Sequence, residues 1–300
     1  MRKYNLYQID AFTKEKFKGN PAGVITNADG LTEEDMQHIA RELNNSETAF
    51  IFYDDCKEYD HQTRFFTPKE EVPICGHATI AAHYALAYEK KLKNCTVYQN
   101  TKAGILPVEI IKEDDDYRII MTQGKIEYGE IIDGESRNEL LAALNIAEKD
   151  IRIGFPIQIV STGHSKVMIC INDKNLLNSL QPDNTMLTDL SSKIGCNGYY
   201  VFTLEDENSD ILVHGRMFAP AIGIDEDPVT GNANGPLGAY LVKHRLVKND
   251  NKLFCFKAMQ GEAIGRDGII NVSVKIENNE PYQVSVSGNA KIIFETYIYI

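Results

Sequence analysis

Three shortages narrow this 300-residue chain before any motif is read. Basic charge is scarce: 31 Lys and Arg against 43 Asp and Glu leave a net charge of −12. The dense basic patch that nucleic-acid binding needs is therefore missing, and the acidic balance itself means solubility rather than a particular partner. Long apolar runs are absent, so nothing approaches the roughly 20 residues of a membrane span. Met1-Arg2-Lys3-Tyr4 leads straight into an alternating strand, with no apolar signal region. The six cysteines (Cys56, Cys75, Cys95, Cys170, Cys196 and Cys255) contain no CxxC spacing. Together these features predict a cytoplasmic protein with reduced thiols rather than a disulfide framework. Metal-ligand spacing is lacking too: His77 and His83 stand six apart and do not share a helix face as an i, i+4 pair would. Gly231 and Gly235 have no following lysine, which leaves no phosphate loop. Neither a metal nor a cofactor is indicated.

What the chain does contain is a repeat. Arg64-Phe65-Phe66-Thr67-Pro68 leads to Gly76-His77-Ala78 and an apolar run; Arg216-Met217-Phe218-Ala219-Pro220 leads to Gly231-Asn232-Ala233 and another. The offset, 216 − 64 = 152 residues, is about half the chain. That period is too long for a solenoid and suggests two similar domains facing each other, with polar residues at two helix starts converging on one cleft. Length alone also suits two domains with proper cores. The composition, 43% hydrophobic and 25% charged, is that of an ordinary globular protein.

The coarse pattern is many short strands and a few helices. Strands are predicted at Tyr4–Asp10, Glu47–Phe52, His61–Phe66, Thr96–Gln99, Ile105–Ile110 and Tyr117–Met121. Thr32 is placed to cap a helix whose first turn holds Glu33, Glu34 and Asp35 and whose face holds Met36, Ile39, Ala40 and Leu43. The run from His77 to Ala87 is apolar nearly all round and predicts a buried helix. In the second half, helices are predicted near Ser136–Leu144, Asn184–Ile194 and Asn232–His244. Strands are predicted at Ile157–Ser161, Lys166–Ile171, Tyr199–Leu204 and Ile211–Phe218, and everything from Asn271 onward reads as strand. Glu113 to Asp116 reads as a solvated hairpin turn. The boundary is placed in the polar stretch 124–134, which gives domains 1–125 and 126–300, with the last strand free to cross back to the first.

Each candidate site residue has an ordinary reading beside a chemical one. Glu47 opens an otherwise apolar strand: exposed, it is a surface or capping carboxylate; inside an apolar cleft, it suits a general acid/base. Gly76-His77-Ala78-Thr79 reads as a glycine turn with a capping threonine, or as free N–H groups and a helix dipole that bind a substrate carboxylate. Asp227-Pro228 with Thr230 reads as a capped turn, while Gly231 and Asn232 offer N–H donors and Asp227 a second ionisable group. Cys75 is either an inert buried thiol or, at a helix start, a nucleophile.

At these residues the chain resembles the phenazine-biosynthesis PhzF-like family, within the diaminopimelate epimerase-like fold. The resemblance runs nearly end to end. It rests on Asp10-Ala11-Phe12-Thr13, Gly19-Asn20-Pro21-Ala22-Gly23-Val24, Asn45-Ser46-Glu47-Thr48, Arg64 to Pro68, Gly76 to Thr79, Glu226 to Gly231, and Gln260-Gly261 with Gly265-Arg266. It implies an α/β (α+β type) protein of two pseudo-symmetric domains, each a curved, mostly antiparallel, barrel-like sheet around a central apolar helix. It also implies a cleft between them, a homodimer, and cofactor-independent isomerase chemistry. The family's acid/base glutamate falls on Glu47, its active-site histidine and aspartate on His77 and Asp227, and its first helix-start glycine on Gly76. Where the family's enzyme of known chemistry has serine, this chain has Asn232. The epimerase relatives use two cysteines; the first matches Cys75, while the second falls on Pro228, which cannot act as a base.

The expected function is movement of a proton on a small carboxylate-bearing metabolite, with Glu47 as acid/base and His77 and Asp227 orienting the substrate or stabilising an enolate. Gly76, Gly231, Asn232 and Cys75 are expected to line the substrate site. Two alternatives stand beside it: a single-thiol epimerase or racemase using Cys75, and a non-catalytic metabolite-binding relative.

Overall fold

A computed structural model describes residues 1–300. They form two compact units, Met1–Thr122 with Ser287–Ile300, and Gln123–Val286. The first contains β1 (Lys3–Ala11), β2 (Asn20–Ile25), α1 (Glu33–Leu43), β3 (Glu47–Phe52), β4 (His61–Phe66) and β5 (Glu71–Val72). It continues with α2 (Gly76–Lys90), β6 (Cys95–Thr101), β7 (Gly104–Glu113) and β8 (Asp116–Thr122). The second begins with β9 (Glu127–Ile131), α3 (Gly134–Ala143), β10 (Gln158–Ser161), β11 (Lys166–Cys170), α4 (Lys174–Ser179) and α5 (Asn184–Ile194). Then come β12 (Tyr199–Leu204), β13 (Val213–Ala219), β14 (Ile224–Asp227), α6 (Gly231–Lys243), β15 (Leu253–Gln260), β16 (Gly268–Glu277) and β17 (Glu280–Gly288). The carboxy-terminal strand, β18 (Ala290–Tyr299), lies in the first unit. The units divide at Thr122/Gln123, just before the stretch 124–134 read from sequence as a polar boundary, and that stretch also carries β9.

The two units share one pairing scheme. In the first, β1–β2 is antiparallel, β2–β3 parallel, β3–β4 and β4–β5 antiparallel, β4–β6 parallel and β6–β7 antiparallel. In the second the same sequence of directions runs through β10–β11, β11–β12, β12–β13, β13–β14, β13–β15 and β15–β16. A parallel pair requires a crossover, and a helix supplies each one. α1 lies between β2 and β3, α4 and α5 lie between β11 and β12, and α2 and α6 complete the other two. The outer neighbour of β10 is β9, and that of β1 is β18, both antiparallel. Each unit thus takes its edge strand from the segment that follows a half-chain, and this is why β18 is not in the unit that precedes it.

α2 and α6 are the central helices. All residues from Gly76 to Ala87 are buried, and α2 packs on β1, β2, β3, β7, β8 and β18. A helix that is apolar all round has no solvent face to offer, so it can only be stable inside a wrapped sheet. α6 packs on β10, β11, β15 and β16, and its approach to β16 depends on Gly238. A Cβ there would sit 2.7 Å from Val274 Cγ2 and 2.9 Å from Val272 Cγ1. Matching arginines brace the units. Arg64 on β4 forks onto Glu71 at 2.8 and 2.6 Å, and Arg216 on β13 forks onto Glu226 at 2.9 and 2.7 Å.

Candidate active site at the start of the buried helix

α1, α4 and α5 begin with a side-chain cap: Thr32, Asp173 and Asp183 each accept from backbone N–H groups of their first turn. α2 and α6 do not. Cys75 and Thr230 occupy their N-cap positions with no side-chain capping bond, and neither first turn contains an acidic residue. Uncapped first-turn N–H groups and the positive end of the helix dipole favour an anion. Thr79, read from sequence as a cap, bonds backward instead, its hydroxyl donating to Cys75 O at 2.7 Å.

Around the α2 start the first unit assembles four polar side chains from two places in the chain. Glu47 is the first residue of β3, aligned with Ala22 of β2. His77 is the second residue of α2. The Glu47 carboxylate lies 3.4 Å from His77 Nε2, and Ser46 Oγ is 3.3 Å from the same nitrogen. Cys75 Sγ lies 3.4 Å from Nδ1 and 4.0 Å from Nε2 of the same ring. The imidazole therefore touches both a carboxylate and a thiol. Side-chain exposure is 6% for His77 and 14% for Glu47, so the pair is almost withdrawn from water. Glu47, Gly76, His77 and Cys75 are thus brought together. Ser46 was quoted only as part of a motif; its hydroxyl had no assigned role.

Asp227, Gly231 and Asn232 gather at the start of α6 in the second unit. Asp227 ends β14, where sequence reading gave only a turn. The Thr230 hydroxyl donates to the Asp227 carboxylate and accepts from Gln260 Nε2 at 3.1 Å. Gln260 Nε2 also donates to Asp227 O at 2.7 Å, and its Oε1 accepts from Thr230 N and Asn234 Nδ2. Tyr200 closes the network by donating to Asn234 Oδ1 at 2.7 Å. Gln123 Nε2 donates to Gly231 O at 2.9 Å and reaches Asn232 Oδ1 at 3.4 Å. Thr230, not Pro228, is the positional counterpart of Cys75, since both stand at the N-cap of a central helix. A threonine hydroxyl is no better a base at neutral pH than proline, so a second thiol-like group is still lacking.

The repeat also assigns Glu47 a counterpart. Phe66 pairs with Thr48 and Phe218 with Tyr199, so the residue before each, Glu47 and Gly198, are equivalent. A Cβ at Gly198 would stand 2.3 Å from Lys166 Cδ and 3.3 Å from its Nζ, so a side chain there must displace the lysine stem. Lys166, 9% exposed, fills that space and donates to Ser165 O at 3.1 Å. Burial pushes its pKa below the usual lysine range, opposed by Cys196 and Asp227 nearby. Where one unit presents a carboxylate, the other presents an amine. Nothing local in the sequence marks Lys166; only the strand register does.

The chain is an isomerase built of two like units, each with an uncapped buried helix and polar groups at its start. The chain belongs to the phenazine biosynthesis-like protein family, whose model matches residues 9–296. It is 67% identical to an uncharacterized isomerase of Clostridium acetobutylicum, over 99% of this chain and 98% of that one. It is 30% identical to the trans-2,3-dihydro-3-hydroxyanthranilate isomerase of Pseudomonas aeruginosa, over 97% and 98%. The crystal structure of a Bacillus anthracis phenazine biosynthesis protein of the PhzF family superposes with a TM-score of 0.89 at 32% identity, covering 100% of both chains.

Proposed function

We propose that the protein moves a proton between carbon positions of a small carboxylate-bearing metabolite, with Glu47 as the general acid/base. The observation that carries this reading is the Glu47 carboxylate, nearly buried and 3.4 Å from His77, at the uncapped start of α2. The substrate carboxylate accepts from the N–H groups at Gly76 and His77, where the helix dipole favours negative charge. Glu47 then removes a proton from carbon and returns it to another position, while His77, held by Ser46, steadies the carboxylate and the negative charge that develops. Asp227 and the N–H groups of Gly231 and Asn232 are assigned to substrate orientation on the same physical ground. The Pseudomonas aeruginosa relative is named for the isomerisation of a hydroxylated amino acid, which supports a carboxylate substrate class.

The test is a panel of small amino and hydroxy acids incubated in heavy water, with carbon-bound deuterium read by NMR or mass spectrometry. Glu47→Gln should lower exchange by roughly 10²–10⁴-fold while the fold survives. Exchange at the wild-type rate in that variant removes Glu47 from the role. A second reading follows from Cys75 Sγ, 3.4 Å from His77 Nδ1: the thiol as base of a one-thiol epimerase. Cys75→Ser separates the two readings, because exchange survives it under glutamate catalysis and is lost under thiol catalysis.

A further inference from the structure

We propose that Glu47, Cys75 and His77 form a three-ligand site for a zinc-type divalent ion within the first unit, open at its fourth position. This goes beyond the proton-transfer reading and needs only the donor atoms of the same residues. One ligand atom from each lies within 4.8 Å of the others. Glu47 Oε2 to His77 Nε2 is 3.4 Å, and Cys75 Sγ is 4.0 Å from Nε2 and 3.4 Å from Nδ1. With Zn–S at about 2.3 Å and Zn–N and Zn–O at about 2.0–2.1 Å, neighbouring donors of a tetrahedral site stand about 3.3–3.6 Å apart. Through Nε2, the Glu47 edge already matches such a tetrahedron, and the Cys75 edge, at 4.0 Å, needs to shorten by only a few tenths of an ångström when an ion arrives.

The chemistry of the set selects the ion. Thiolate and imidazole favour zinc and its neighbours over magnesium or calcium, and three protein ligands with an open position is the pattern of reactive zinc sites. Charge also balances: a divalent cation with one thiolate, one carboxylate and a neutral imidazole is electrically neutral, which relieves the cost of burying charge. Formation of the sulfur–metal bond breaks the S–H bond and releases that proton to the buffer. Backbone geometry keeps the donors in place, since Cys75 and His77 share the first turn of α2 and Glu47 is fixed by the β2–β3 register. An ion bound here engages the Glu47 carboxylate, so it inhibits proton transfer and links the enzyme to free zinc.

The probe is Co²⁺, added to the full-length, chelator-treated protein. One equivalent should give a thiolate-to-cobalt charge-transfer band in the near ultraviolet, together with the intense visible bands of four-coordination. Zn²⁺ should displace it, and one proton should be released per ion. Cys75→Ser should abolish the band, while Cys255→Ser, an exposed thiol, should leave it intact. Glu47→Gln and His77→Ala should weaken binding by at least the roughly 10–100-fold that loss of even a supporting group costs. Glu47→Gln retains the thiol and the helix start, so it keeps the test meaningful should Cys75→Ser fail to fold. Absence of the band, or the same Zn²⁺ affinity in wild type and all three ligand variants, overturns the proposal. Metal binding together with no carbon exchange by the chelator-treated, metal-free protein would defeat the glutamate mechanism alone, and exchange without metal binding would defeat this site alone.

Discussion

His61 and His83 show how one residue's surroundings reach the stability of the whole chain. Both are buried, at 1% and 0% exposure, with ring centroids 5.1 Å apart. Burial lowers the His61 pKa to about 3, helped by the neighbouring charges of His83 and Lys90. Burial takes His83 to about 4, opposed by its hydrogen bond to Thr79 O. In the unfolded chain both titrate near 6.5. Between about pH 6.5 and 4 the unfolded state therefore binds protons that the folded state refuses. The stability of the neutral pair is whole above about pH 6.5 and declines as pH falls through that window. Each histidine contributes a slope of up to about 1.4 kcal/mol per pH unit. His61 Nε2 has no hydrogen-bond partner among the protein's atoms, so His61→Leu removes a titrating group without breaking a bond. Urea unfolding at pH 7 and pH 5 should show a smaller acid loss in His61→Leu than in wild type; equal losses would refute this account.

At the scale of the element, what decides each site is how closely two strands or a strand and a helix approach. Gly198 on the approach to β12 exists because Lys166 on β11 occupies the room of its side chain. Gly198→Ala should destabilise the protein by about 1–3 kcal/mol, as overpacking does. Much of that loss should vanish in the Lys166→Ala background, where the clashing stem is gone. A double-mutant cycle on chemical denaturation measures the coupling, and strict additivity would show that the two do not compete for space. The arginine braces differ in the same local way. Arg64 Nη2, besides its bond to Glu71, also donates to the exposed Glu33, whereas Arg216 Nη1 donates to Leu177 O and Leu180 O and so ties the end of α4 to β13. The repeated Arg-x-Phe pattern was readable in sequence. That one copy also anchors a helix was not, because α4 is only six residues long and carries no apolar period to announce it.

For the molecule as a whole, the exchange of edge strands matters most. β18 pairs with β1 from Lys3↔Tyr299 to Ala11↔Ala290, with one irregularity between Gln8 and Ile9. Removing residues 290–300 leaves that edge of β1 unpaired, and unpaired strand edges template aggregation. The truncated chain should therefore elute from gel filtration in the void volume or as broad aggregates, although the second unit contributes none of the deleted residues. A sharp peak with unchanged thermal stability would show that β18 is dispensable. We also propose the homodimer that the family resemblance implies; sedimentation at the 33.7 kDa of one chain would dismiss it.

Periodicity and repetition were enough for much of this protein. Thr32 caps α1 as predicted, α5 spans the predicted Asn184–Ile194, and the all-apolar run after Gly76 is the buried helix. These are short-range properties, set by hydrogen bonds and side-chain spacing within a few residues. Tertiary structure decided what long-range pairing controls. It made β9 an edge strand of the second unit, and it filled with Lys166 the space beside Gly198 where the repeat would put a second glutamate side chain. It also drew a thiol, an imidazole and a carboxylate from two separate segments to within bonding reach of one ion. Such placements depend on which strands meet and in what register, and no window of neighbouring residues contains that information.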